Sequence, residues 1–132
     1  MVPLPAGFIF MWAKSDLTER IMDSLTQHKC VPCQKGAPVA TPEEINAYMT
    51  QLPEWDIVDI KGSQSLKRVF GFKNFKQALA FVNQVGELAE AEYHHPTLVL
   101  DWGRVEVVWT THKIKGLHKN DFSMAARTDA LY

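Results

Sequence analysis

The chain has 132 residues, 46% of them hydrophobic and 22% charged, with a formal net charge of −1. That is enough apolar material for one globular domain with its own core, and it excludes a disordered chain. The near-neutral charge offers no electrostatic footprint to nucleic acid or to an anionic membrane, so neither partner is expected. The opening "MVPLPAGFIFMWAK" is apolar but lacks a basic n-region and a cleavage site, and its apolar run is too short to span a bilayer. We read residues 1–29 as an N-terminal extension, with translation starting naturally at Met11 or Met22, and residues 30–132 as the folded domain. Cys30 and Cys33 are spaced C-V-P-C, but no second ligand pair completes a zinc set, and the flanks read as loop. Two reduced loop thiols in a cytoplasmic protein are the expectation.

The first element starts at Thr41, a good N-cap, with Pro42 at the first helical position and Glu44 placed for a capping box. Ile45, Tyr48, Met49 and Leu52 follow at helical spacing up to Pro53. "EWDIVDI" and "SLKRVFGF" alternate on either side of a "KGSQ" turn and predict an antiparallel hairpin, with Leu66, Val69 and Phe70 as the apolar residues of its second strand. Phe75, Ala78, Leu79, Val82, Val85 and Ala89 form one stripe, which predicts a long helix running to about His94. Pro96 cannot continue it. "TLVLDW" and "RVEVVWTTH" around Gly103 predict a second hairpin, and "HKNDFSMAARTDALY" a final helix. The order α-β-β-α-β-β-α predicts a single α+β domain, a four-stranded antiparallel sheet with helices packed on one face.

The chemistry gathers in the last third. His94 and His95 are adjacent, and neighbouring helical residues diverge by about 100°, so the pair alone is a poor metal clip. Glu90 stands four residues before His94, where an ion pair that caps the helix end is the plainer outcome. Convergence of the long helix's end with the end of the last strand changes the balance. His94, His95 and His112 then crowd one pocket, with Glu90 and Asp121 as charge partners. Imidazoles titrate near neutrality and serve as acid or base, so such a site suits addition, elimination or isomerisation of a small molecule.

"EAEYHHP" from Glu90, an aromatic at Trp102, "TTH" ending at His112, and Asp121 after "KIKGLHKN" resemble the signature of the pterin-4a-carbinolamine dehydratases. The resemblance extends from about Cys30 to the C-terminus. It implies a hydro-lyase that dehydrates 4a-hydroxytetrahydropterin to quinonoid dihydropterin, in recycling of tetrahydropterin for an aromatic amino-acid hydroxylase. It further implies catalytic roles for His94, His95 and His112, support from Glu90 and Asp121, and substrate contacts from His94, His95, Pro96, Trp102, Thr111 and His112. No metal and no organic cofactor are implied, and a homodimer or homotetramer is. The alternative is a catalytically silent binding or dimerisation module of the transcriptional coactivator type. Leu98, Lys113 and His118 depart from the family's usual residues, and His118 is expected to cap the last helix rather than act as a fourth catalytic group.

Overall fold

The computed structural model describes residues 25–28, 30 and 37–132; Met11, Met22 and Cys33 lie outside the described residues. Helix α1 is Pro42–Met49, opened by the expected box: Thr41 Oγ1 accepts from the Glu44 amide while Glu44 takes the Thr41 amide. Strands β1 (Asp56–Ile60) and β2 (Ser63–Gly71) form the first hairpin. Lys61 and Gly62 both have positive φ at its turn, the backbone that matches the twist of paired strands. Helix α2 is Phe75–Glu92, strands β3 (Thr97–Asp101) and β4 (Arg104–Trp109) form the second hairpin, and helix α3 is Lys119–Leu131. The sheet order is β1-β2-β4-β3, antiparallel throughout, as the element order predicts.

Register decides which face is dry. Leu66 pairs with Trp109, and Phe70 with Val105, while Val107 stands opposite Arg68 and Leu98. These positions alternate with Lys67, Val69, Glu106 and Val99 on the open face, so the helices cover one side only. Of the three apolar residues of β2, Leu66 and Phe70 are buried and Val69 is exposed.

Two expectations change on α2. Its buried line is Ala78, Phe81, Val85 and Ala89, while Phe75 and Leu79 are exposed. More apolar residues lie along the helix than one line of contact with the sheet can bury, and Phe81 takes the inward place beside Phe70, ring centroids 4.7 Å apart. The helix also ends at Glu92, two residues short of His94. Tyr93 adopts the left-handed conformation (φ 52°, ψ 38°) and the His94 amide bonds back to Ala89 O at 3.2 Å. That is a Schellman-type stop, normally a glycine's task, and it acts before Pro96 is reached.

Packing begins ahead of residue 30. Leu25 is fully buried within the core that α3 completes. Helix α3 is enclosed nearly all round its first half, from Asn120 to Ala126, and its buried polar groups are accordingly bonded.

Candidate active site

The chain folds His94 onto Asp121. The left-handed turn at Tyr93 swings the backbone off the helix axis, so His94 no longer lies on the face it shares with Glu90. Its Nε2 instead reaches Asp121 Oδ1 at 2.6 Å. Asp121 comes from the first turn of α3 and is fully buried. Its other oxygen, Oδ2, accepts from the Thr111 hydroxyl at 2.6 Å and from the His118 amide at 2.9 Å. An ionised carboxylate only accepts, so three donors satisfy this one, and the His94 proton sits on Nε2. A buried charge is tolerated where it is paired and bonded in this way.

The ring plane of His94 is fixed as well. Trp109, at the end of β4, lies nearly parallel to it, with centroids 5.6 Å apart and planes at 11°. Trp109 is itself immobilised by full burial and by donating Nε1–H to Thr128 Oγ1 at 3.1 Å. The side chain of His94 keeps 14% exposure. Nδ1 has no bonded partner among the described residues, which leaves it as the nitrogen free to exchange protons with a bound molecule.

His118 caps α3, as expected from its place. Its Nδ1 accepts from the Asn120 amide at 3.0 Å, and Asp121 closes the reciprocal half of the box. Because that nitrogen must stay unprotonated to accept, the capped state is the neutral ring. Burial pushes the imidazole below its ordinary value; the Asp121 charge opposes this, His28 and His94 reinforce it, and Glu44 opposes it again.

Of the other residues singled out in the sequence, His95 and Glu90 pair with each other at 2.6 Å. The Glu90 carboxylate thus serves His95, not His94 as the four-residue spacing implied. Both are solvent-facing, at 56% and 77% side-chain exposure, which keeps such a pair weak. Pro96 is half-buried between this pair and β3. Thr111 enters the cluster directly, and His112 follows it in an exposed 3-10 turn, His112–Ile114. The His112 imidazole has no hydrogen bond among the described residues. Trp102 is not brought to the histidines. It occupies the β3–β4 turn, at 68% exposure, while Thr97 stands at the other end of β3, roughly 14 Å away along the strand. Gly103 beside it is obligatory, since a Cβ there would meet Phe72 O at 2.8 Å. An open cleft of about 650 Å³ at that end, lined by Phe72, Phe81 and Tyr132, contains none of the histidines.

Trp109 and His118 are the members that sequence reasoning did not place in the site. The signal for Trp109 was available, since it continues the inward phase of Val105 and Val107. His118 was expected as the cap, but its capping-box spacing to Asp121, which brings it against the site carboxylate, was not read.

The site of this α+β domain is thus an imidazole set on a fully bonded, buried carboxylate. The particular family follows from comparison: "Pterin 4 alpha carbinolamine dehydratase" matches residues 38–131, and the chain belongs to that family. A relative from Syntrophotalea carbinolica is 54% identical over 110 residues, covering 83% of this chain and 98% of its own. One from Marinobacter nauticus is 52% identical over 111 residues, covering 84% and 100%. Both are provisionally named pterin-4-alpha-carbinolamine dehydratases. Among solved structures, a transcriptional coactivator/pterin dehydratase from Brucella melitensis superposes with a TM-score of 0.65 at 32% identity, covering 71% of this chain and 98% of its own. A pterin dehydratase-like protein described as a RuBisCO assembly factor in the alpha-carboxysome gives 0.51 at 25% identity, covering 59% and 88%.

Proposed function

We propose that the protein dehydrates 4a-hydroxytetrahydropterin to quinonoid dihydropterin, with His94 as the central acid/base group. The observation that carries this reading is the Nε2 bond of His94 to Asp121, which fixes the tautomer and leaves Nδ1 available. Protonated, Nδ1–H delivers a proton to the C4a hydroxyl, which departs as water as the C4a–O bond breaks. The electron pair on a pterin ring nitrogen forms the new double bond, and that nitrogen's proton passes to a base. One proton is given and one is taken, so the enzyme's total is unchanged, and exchange with solvent returns donor and acceptor to their starting protonation states. His112 is the second proton-transfer group and His95 positions the pterin, with Glu90 orienting His95 and Asp121 orienting His94. Each acid or base group contributes about 10²–10⁴-fold in such chemistry.

The setting we infer is the cytoplasm, in recycling of tetrahydropterin for an aromatic amino-acid hydroxylase. No described helix is long and apolar enough to cross a membrane. A homodimer or homotetramer fits the exposed Phe75, Leu79 and Val99, since apolar side chains on a helix face and an edge strand are commonly covered by a second copy. The same surfaces favour a second reading, a binding module without catalysis; one solved neighbour is described as a coactivator as well as a pterin dehydratase, and the other as an assembly factor. Spectrophotometric dehydration of a 4a-hydroxytetrahydropterin decides between them. The enzyme reading expects wild type to exceed the spontaneous rate and His94→Ala and His112→Ala each to lose most of the excess. A wild-type rate equal to the spontaneous one leaves the binding reading.

A further inference from the structure

The two members of the His94–Asp121 pair come from different elements, and a third segment is bonded to both of those elements. Leu25, His28 and Cys30 are bonded to the end of α2 and to the first half of α3. The Cys30 amide donates to Glu92 Oε1 at 2.9 Å, two residues before His94, and the same carboxylate is held by Arg127 of α3 at 3.0 Å. At the other end Ser123 Oγ donates to Leu25 O at 2.6 Å and reaches His28 O at 3.0 Å. His28 meets Asn120 Oδ1 at 3.0 Å, and as an amide oxygen only accepts, His28 Nε2–H is the donor.

From Asn120 the bonds continue toward the site. The Asn120 amide donates to His118 Nδ1 at 3.0 Å, and the His118 amide donates to Asp121 Oδ2 at 2.9 Å. Asn120 and Ser123 are buried, and Leu25 is fully so. The anchors are therefore dry, where losing one partner of a hydrogen bond is felt by the other. The family match begins at residue 38, so this segment lies ahead of it.

We propose that residues 25–28 together with Cys30 act as a positioning strap for the His94–Asp121 pair, with His28 as the positioning residue acting through Asn120 and His118. The strap ties the end of α2 to the first turn of α3, holding the imidazole and the carboxylate in register. Misplacing a catalytic group by 1 Å costs on the order of 10²-fold in rate, so a tie of this kind has kinetic consequences. The kinetic part of the test rests on the dehydratase reading; the spectroscopic part stands without it.

The test uses the full-length chain with His28→Ala and His28→Gln, the glutamine amide being able to donate to Asn120 in place of the ring. NMR follows solvent exchange of the His94 Nε2–H proton, and steady-state kinetics gives kcat and KM for dehydration. In His28→Ala the exchange should speed up about tenfold and kcat fall about tenfold, with KM within about twofold, and His28→Gln should restore both. Unchanged exchange in His28→Ala overturns the proposal even where thermal stability drops, because the segment is then only packing. Equal damage in both variants, or failure of both to fold, overturns it likewise. If wild type performs no dehydration, the function proposed above fails and the exchange rates alone decide on the strap.

Discussion

Helix α3 carries two buried or half-buried aspartates, one in each terminal turn, and they are built differently. Asp121, in the first turn, is fully buried and faces an imidazole, a hydroxyl and a backbone amide. Asp129, roughly 12 Å further along the axis, meets the Arg68 guanidinium at 2.7 Å and the Trp55 indole N–H at 2.9 Å. Arg68 lies over the Phe70 ring, its carbon 4.3 Å from the centroid, within an aromatic cluster closed by Tyr132. Burial pushes the Asp129 carboxyl above its ordinary value, while the Trp55 and Arg68 bonds pull it down. A guanidinium keeps its proton at any working pH, so Asp129 can fasten the helix to the sheet but has no proton to manage. Asp121 bonds instead to an imidazole, the side chain proposed above as the acid/base group. The partner, more than the burial, separates the two aspartates: a permanent cation at Asp129 and an imidazole at Asp121.

The largest expected effect is on the Asp121 side. Asp121→Asn sets an amide group against donors, disturbs the His94 tautomer, and should lower dehydration by about 10²-fold or more in steady-state kinetics. Asp129→Asn should do the reverse. It leaves Arg68 short of its counter-charge, costs about 1–3 kcal/mol in denaturant unfolding, and keeps turnover per folded molecule at the wild-type value.

A smaller effect belongs to His118. Its folded value lies below the ordinary 6.5, so the folded state binds fewer protons than the unfolded chain in the window between the two. Its contribution to stability is fully present above 6.5 and is lost as pH falls through the folded value. His118→Ser keeps a cap oxygen and should remove this part of the acid-side loss, read by comparing unfolding midpoints of the two proteins across that pH window. The smallest effect is Trp55→Phe. It removes one bond to Asp129, costs about 1 kcal/mol in the same unfolding measurement, and leaves dehydration unchanged.

The fold was legible because local signals agreed with one another: the Thr41 box, two turns between alternating segments, and a proline after the long helix. The end of that helix was not, because the stop is a left-handed tyrosine where glycine is the usual sign. That one residue also decided the site, sending Glu90 to His95 and His94 to Asp121. The family signature named both members of the second pair, but they stand 27 residues apart, and no spacing rule links them. Trp102 is the converse case, since a signature gives order along the chain and not which end of a hairpin a residue occupies. The strap was hidden for a compositional reason. Residues up to 29 read as an extension outside the domain, and only the buried polar side of α3 shows what Leu25 and His28 are bonded to.

The comparison between the two aspartates is tested most directly by measuring kcat for 4a-hydroxytetrahydropterin dehydration in Asp121→Asn and Asp129→Asn together, each corrected for its folded fraction. The account predicts that Asp121→Asn falls by about 10²-fold or more while Asp129→Asn matches wild type. Equal values for the two variants would contradict it, because the histidine-paired carboxylate would then be no more than a second fastening.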